Sequence, residues 1–135
     1  MTHHFAVTVY YEDTDMGGIV YHANYLKYIE RARSAWVAEM GLDQNALSAA
    51  GLVFVVRHIE SDFLAPARLG DALEVKSRIE ASTGVRWILR QEVWRGALRL
   101  FSARVTIVAM DRSGHPTRLP AELRRGPDAE GGAQP

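Results

Sequence analysis

Hydrophobic and polar residues alternate along the first segment of the chain, residues 5–12. The apolar or aromatic positions are Phe5, Val7, Val9 and Tyr11. A period of two is typical of a β-strand with one buried face and one partly polar face. The pattern therefore predicts a first strand over this segment.

A helical pattern follows, in which apolar side chains recur every three or four residues. The stripe consists of Tyr25, Ile29, Ala32, Trp36 and Met40. Charged residues mostly fall on other faces, so the pattern predicts one long helix with an apolar stripe. Asn24 is placed to cap its first turn, and Gly41 can end it in the left-handed conformation.

Strand patterns dominate the chain from residue 52 onward. A β-branched and aromatic run precedes Pro66, residues 73–80 and 85–93 alternate, and residues 98–110 follow a turn at Arg95-Gly96-Ala97. Helices do not alternate with these strands, which argues against a parallel sheet. The sequence predicts an α+β fold in which one helix covers an antiparallel sheet.

The length of 135 residues suits one domain with a single core, which we expect to span residues 1–123. The last residues, 124–135, are mostly small or polar and have little to bury. Ordering them would cost conformational entropy without compensation, so we expect a disordered tail that carries no chemistry.

Composition excludes several classes of function. The 16 basic and 16 acidic residues cancel, so no global field attracts nucleic acid or an anionic membrane. The absence of cysteine excludes a disulfide framework and a cysteine nucleophile, and is compatible with a cytoplasmic location. We also expect no signal peptide and no membrane span, because no apolar run approaches ~20 residues.

The loop between the first strand and the helix, residues 13–24, carries the candidate chemistry. The first N–H groups of a helix have no intrahelical partner and a partial positive charge, so they can hold an oxyanion. A carboxylate such as Asp15 could attack a nearby carbonyl or activate water, while Gly17 and Gly18 would let a substrate approach the backbone. This combination suits acyl transfer.

Each loop residue also has a structural interpretation. Asp13 and Asp15 could end a strand and shape an Asx turn, and the two glycines could be turn residues. His22 could bond a nearby carbonyl. Tyr25, like Tyr28, falls on or beside the apolar stripe and could simply pack in the core.

Other chemistries have less support in the sequence. The motifs of serine hydrolases, P-loop nucleotide hydrolases and zinc proteases are absent. A metal site formed by Asp13, Asp15 and His22 would need further ligands, so we expect none, and no cofactor is implied. The strand arginines form either a solvated face or a phosphate-binding group: Arg57, Arg68, Arg86 and Arg90.

The segments VTVYYEDTDMGGIVYHANYLKYIERAR and VVRHIESDFLAPARLGDALEV resemble the hotdog-fold thioesterases. The resemblance is to the 4-hydroxybenzoyl-CoA thioesterase group, and within it to the Tol-Pal-associated (YbgC-type) branch of acyl-CoA thioesterases. It covers nearly the whole chain except the tail. It implies a long helix wrapped by a five- or six-stranded antiparallel sheet, in homodimers or homotetramers with active sites between subunits.

The resemblance also implies roles for residues of the loop. Asp15 stands at the position of the catalytic carboxylate, and His22 stands at the start of the central helix, whose backbone N–H polarises the thioester carbonyl. The His22 ring could also orient the substrate. The substrate is expected to be an acyl-CoA, and the protein is expected in the cytoplasm with at most peripheral contact with the inner membrane. No motif of the family fixes the residues that hold the CoA phosphates, for which Arg57, Arg68 and Arg86 are the candidates.

Two other functions stay open at this stage. A hotdog hydratase or dehydratase would act on an acyl thioester at carbon, whereas a binding or scaffold protein would hold the thioester without reacting. The position of Asp15 before the helix, rather than within it, favours hydrolysis. The sequence indicates neither the acyl chain length nor whether the carrier is CoA or acyl carrier protein.

Overall fold

Five antiparallel strands form a single sheet in the computed structural model, which describes residues 2–127. The strands are β1 (His3–Thr8), β2 (Val53–Phe63), β3 (Ala72–Ser82), β4 (Arg86–Arg95) and β5 (Leu98–Met110). Their order in the sheet is β1-β3-β4-β5-β2, so β1 and β2 are the edge strands. The helices are α1 (Asn24–Glu39) and α2 (Gln44–Ala49), with 3₁₀ turns at Tyr11–Asp13 and Ala121–Leu123.

The predicted α+β class is confirmed, because the long helix α1 packs on one face of this antiparallel sheet as in a hotdog fold. The strand alternation explains which residues meet it. In β3, Leu73, Val75 and Ile79 are buried in the core. The charged residues that alternate with this face point to the other side of the sheet, where Glu80 accepts hydrogen bonds from Arg90 on β4 (3.0 Å) and from Arg104 on β5 (2.9 Å).

The predicted stripe of α1 is confirmed in the core. Four positions of the stripe are at most 5% exposed: Tyr25, Ile29, Ala32 and Trp36. The fifth, Met40, is partly buried and packs against the core. Gly41 follows the helix with φ of 88°, a left-handed conformation that favours glycine. The helix α2 has no counterpart in the prediction; Asp43 caps it by accepting the N–H groups of Asn45 and Ala46.

The prediction that Asn24 caps α1 is wrong. The N-cap position is occupied by Ala23, without a side-chain cap, and Asn24 is the first helical residue. Its side-chain Nδ2 instead donates to the carbonyl of Asp13 at 2.7 Å. The Asn24 side chain thus bonds a residue eleven positions earlier in the chain instead of capping the helix.

The first strand is shorter than predicted, and Tyr11 does not continue its buried face. The strand β1 ends at Thr8, after which the backbone enters a 3₁₀ turn and leaves Tyr11 83% exposed. The cause is the carboxylate of Asp13, which accepts the Tyr10 N–H at 2.8 Å and closes the turn.

A buried polar network fixes α1 to the sheet. Gln91 on β4 donates to the Ile29 carbonyl of α1 (3.0 Å) and to Ser77 on β3 (2.9 Å). Its Oε1 accepts from Arg33 at 2.8 Å. Burial lowers the pKa of Arg33 despite the nearby charge of Glu30. These bonds define the position of the helix along the sheet.

The predicted division between domain and tail remains a prediction. Residues 128–135 of the expected tail lie outside the described residues. Arg124, at its start, donates through Nε to the carbonyl of Leu119 at 2.9 Å. Across residues 2–127, no helix combines the length and apolar character needed to cross a membrane.

Candidate active site

A tight ribbon carries Asp15. Thr14 and Val20 form an antiparallel bridge, the Asp15 N–H donates to the Ile19 carbonyl at 2.9 Å, and the Gly18 N–H donates back to the Asp15 carbonyl at 3.0 Å. Gly18 closes this turn with φ of 77°, where other residues would be strained. These bonds therefore hold Asp15 in a fixed position at the protein surface.

One oxygen of the Asp15 carboxylate makes a structural hydrogen bond, and the other is free to act on a substrate. One oxygen, Oδ1, accepts the Gly17 N–H at 2.8 Å, which is the Asx turn expected from the sequence. Within residues 2–127, the other oxygen has no hydrogen-bond partner. A Cβ at Gly17 would lie 3.2 Å from Oδ1, so glycine allows the close approach of this carboxylate.

Asp13 is a structural residue of the same loop. Its carboxylate is buried and accepts the Tyr10 N–H, while its carbonyl accepts from the Tyr21 N–H at 2.9 Å. Burial, reinforced by the Asp13 carboxylate, raises the pKa of Tyr28 above its ordinary value of 10.0. In the described part of the chain, no three histidine or acidic side chains converge as a metal site would require.

His22 lies two residues before α1, next to the N-cap Ala23, and is exposed. Among residues 2–127, no acceptor pairs with the backbone N–H groups of His22 and Ala23, and no side chain caps the helix. The His22 ring lies beside Tyr21, at 4.5 Å between ring centroids, and edge-on to Phe63 at 6.1 Å. The helix start thus presents free donors beside aromatic surface.

These donors border an open, mostly apolar depression of about 360 Å³. It is lined by Ile19, Val20, His22, Tyr25, Phe63, Leu64, Ala65 and Pro66. Phe63 and Leu64 are half-exposed although apolar, and sequence reasoning missed both as site residues. The one feature of the sequence that could have indicated them is a pair of large apolar residues at the end of a strand.

Tyr25 forms the buried wall of this depression. Its ring stacks on Phe101 at 5.0 Å between centroids, and its hydroxyl accepts the Ala67 N–H at 3.1 Å. Burial raises the pKa of Tyr25, against the hydrogen bond from Ala67. The residue predicted to bind substrate therefore also holds the segment opposite the ribbon, where the Val20 N–H donates to the Ala67 carbonyl at 2.8 Å.

The predicted arginines separate into two groups. Arg68 is exposed and its backbone bridges to Ile19 of the ribbon. Its backbone N–H also donates to the Asp71 carboxylate at 2.8 Å. This bond and the nearby Arg95 guanidinium lower the pKa of Asp71. This places one arginine beside the candidate site.

Arg57 and Arg86 lie toward the other end of the sheet. Arg57 occupies the bulge of β2, six residues or about 20 Å of strand before Phe63. Arg86 begins β4 and pairs with Val108 of β5. The single chain does not bring these two arginines to the site.

Most of the sequence matches a known protein family. The sequence model of the thioesterase-like superfamily matches residues 9–126. The chain therefore belongs to the thioesterase-like superfamily. Its α+β architecture is the hotdog fold of those thioesterases.

Individual relatives are similar over most of their length. An acyl-CoA thioester hydrolase YbgC of Escherichia coli O6:H1 is 41% identical over 106 residues, covering 78% of this chain and 79% of the relative. An acyl-CoA thioesterase YbgC of Haemophilus influenzae is 36% identical over 122 residues, covering 89% and 90%. The crystal structure of a probable thioesterase from Bartonella henselae superimposes with a TM-score of 0.84 at 39% identity, covering 89% of this chain and 100% of that one.

Proposed function

We propose that this chain is an acyl-CoA thioesterase, which hydrolyses the thioester of an acyl-CoA to a carboxylic acid and CoA. The observation that carries the proposal is the exposed Asp15 carboxylate on the ribbon that leads into the uncapped start of α1. The names of its relatives from Escherichia coli and Haemophilus influenzae support the same substrate class.

In the proposed reaction, the thioester carbonyl lies between Asp15 and the helix start. Ribbon pairing sets Asp15 opposite Ile19 and Asp13 opposite Tyr21, so His22 is three positions, or about 10 Å, farther along. The Asp15 side chain and a carbonyl group can together span that separation. The His22 N–H donates to the oxygen as negative charge develops, which lowers the barrier.

Asp15 either attacks the carbonyl carbon or removes a proton from an attacking water. In both routes the C–S bond breaks, CoA leaves as the thiolate and is protonated, and one water molecule is consumed. Attack by Asp15 would pass through a mixed anhydride that water then opens. Gly17 and Gly18 would border the thioester, and Tyr25 would line the acyl side of the depression.

We also propose that two copies pair through their β2 edges, in a homodimer or a homotetramer. The edge strand β2 exposes apolar side chains that include Val55, Val56 and Phe63. Such an edge is an unusual surface for a monomer. Pairing would also allow Arg57 and Arg86 of the second copy to join Arg68 at a CoA phosphate group.

Light scattering after gel filtration tests the assembly. The wild type is expected to have the mass of a dimer or tetramer, and Val56→Asp is expected to shift it toward the monomer. Val85→Asp serves as the control, because Val85 is similarly exposed but lies before β4, away from the β2 edge. A monomeric wild type would contradict the proposed pairing.

For location, we propose the cytoplasm, with at most peripheral contact with the inner membrane beside the Tol-Pal system. The proposal rests on the resemblance to the Tol-Pal-associated branch and on the absence of cysteine. Fractionation of cells expressing the chain tests it. Recovery in the periplasm, or in the membrane after a high-salt wash, would contradict it.

The activity is tested by measuring free thiol released from acetyl-, hexanoyl-, palmitoyl- and benzoyl-CoA. Wild type is expected to hydrolyse at least one of them, and Asp15→Asn to lose about 100-fold or more in rate, the scale of an essential acid, base or nucleophile. Asp43→Asn is the matched control, since Asp43 is an exposed aspartate that accepts backbone N–H groups, as Asp15 does, but lies before α2 and away from the site. Equal rates for wild type and Asp15→Asn would contradict the proposal and leave a binding or scaffold role.

A further inference from the structure

Asn24 makes an unusual contact for the first residue of a helix. Asparagine in this region normally accepts backbone N–H groups of the first turn. Here its side chain donates backward, from Nδ2 to the Asp13 carbonyl at 2.7 Å. The N-terminus of α1 consequently has no side-chain cap.

The Asp13 carbonyl is a shared acceptor. It also accepts the Tyr21 N–H at 2.9 Å, and the Asn24 N–H donates to the Tyr21 carbonyl at 2.8 Å. Both ends of the segment 21–24 are therefore bonded to one oxygen atom. His22 lies inside this clamped segment, so the direction of its free N–H is fixed relative to Asp13.

The same clamp fixes the other half of the proposed site. Asp13 precedes Asp15 by two residues, and its own carboxylate is held by the Tyr10 N–H at 2.8 Å. Movement of Asp13 would therefore change the relative placement of Asp15 and the His22 N–H. In contrast, Asn24 itself contributes no atom to the depression.

We infer that Asn24 is a positioning residue, which sets the Asp15 carboxylate and the His22 N–H on opposite sides of one thioester carbonyl. The inference rests on the proposed thioesterase function. The N–H groups of His22 and Ala23, which precede Asn24 in the clamped segment, remain available to the substrate. A displacement of about 1 Å in such a site can lower the rate by about 100-fold.

Two variants of Asn24 separate positioning from stability. Asn24→Ala removes the bond to Asp13 without adding charge. Asn24→Asp keeps the shape but replaces the donor by an acceptor facing a carbonyl, while its charge favours the helix N-terminus. We expect kcat to fall at least 10-fold in both, with KM within about threefold of wild type, and the thermal midpoint of Asn24→Asp to be equal to or above that of Asn24→Ala.

The matched stability control is Asp43→Ala, which removes the cap of α2 and no residue of the site. It is expected to lower the thermal midpoint by a few degrees, as Asn24→Ala does, and to keep kcat unchanged. Amide exchange provides a readout independent of activity. The Tyr21 amide, bonded to the Asp13 carbonyl, should exchange faster in Asn24→Ala and not in Asp43→Ala.

The outcomes distinguish the inference from the function on which it rests. If Asp15→Asn loses activity but Asn24→Ala keeps wild-type kcat, the thioesterase proposal stands and the positioning role is overturned. A loss in Asn24→Asp alone would indicate a charge effect and would also overturn it. If wild type and Asp15→Asn are equally active, both proposals fail together.

Discussion

At the scale of single residues, the site depends on how close backbone and side chains come in the loop before α1. Asp15 Oδ1 accepts the Gly17 N–H, and only the lack of a Cβ at Gly17 keeps that contact unhindered. Asp13, two residues earlier, is buried and serves the loop. Two aspartates of the same short segment therefore have different roles, set by exposure.

Gly17→Ala tests this close contact. The new Cβ would lie 3.2 Å from Asp15 Oδ1, so the carboxylate must shift. We expect thioester hydrolysis to fall about 10-fold, since small misplacements are costly in such sites. Gly84→Ala is the control, because a Cβ there meets no atom within 4 Å. Equal rates for the two variants would contradict a role for the Asp15 geometry.

At the scale of secondary structure, the helix α1 is fixed to the sheet by more than its apolar stripe. Gln91 is fully buried and bonds Arg33, Ser77 and the Ile29 carbonyl. Groups of this kind are expensive to leave unpaired in a core. The network therefore ties the middle of the helix to the sheet.

Gln91→Leu tests the network. It would leave the half-buried Arg33 without its amide partner, and we expect a loss of about 3 kcal/mol in the free energy of unfolding. Urea denaturation measures it, with the exposed Gln44→Leu as control. A loss of less than about 1 kcal/mol would show that the network contributes little.

The sequence predicted the elements that have a strong periodic pattern. The stripe of α1, the alternation of β3 and the run of β5 from residue 98 to residue 110 are local signals, and the structure agrees with them. The helix α2 has only 6 residues and no buried one, so it leaves no periodic pattern to detect.

The misses around the loop have a different cause. The Asn24 side chain bonds a carbonyl eleven residues earlier in the chain, and Phe63 lines the depression together with Tyr25, 38 residues before it. Neither contact can be predicted from the local spacing of residues in the sequence. Tyr11 continues the alternation of β1 but is exposed, because the Asp13 carboxylate turns the backbone first. Long-range contacts decide these positions.

At the scale of the whole molecule, burial of tyrosine hydroxyls couples stability to pH. Burial is the main cause that raises the pKa of both Tyr25 and Tyr28 above 10.0. The folded chain therefore keeps these protons at a pH where the unfolded chain releases them. This contribution to stability is complete below pH 10 and is lost as the pH rises beyond that value.

The pH dependence is tested by urea unfolding of wild type and Tyr28→Phe between pH 8 and pH 11. We expect the free energy of unfolding of wild type to fall more steeply above pH 10 than that of Tyr28→Phe, which cannot ionise there. Tyr11→Phe, at an exposed position, should follow wild type. Parallel curves for wild type and Tyr28→Phe would contradict the coupling.

The central claim is that Asp15 acts on the thioester rather than binding it or supporting the fold. The most direct measurement is the turnover of the best acyl-CoA by Asp15→Asn, with the dissociation constant and the thermal midpoint determined on the same preparation. The account predicts a kcat lowered about 100-fold or more, a dissociation constant within about threefold of wild type and an unchanged midpoint. Retained turnover, or a loss explained by failed binding or folding, would contradict it.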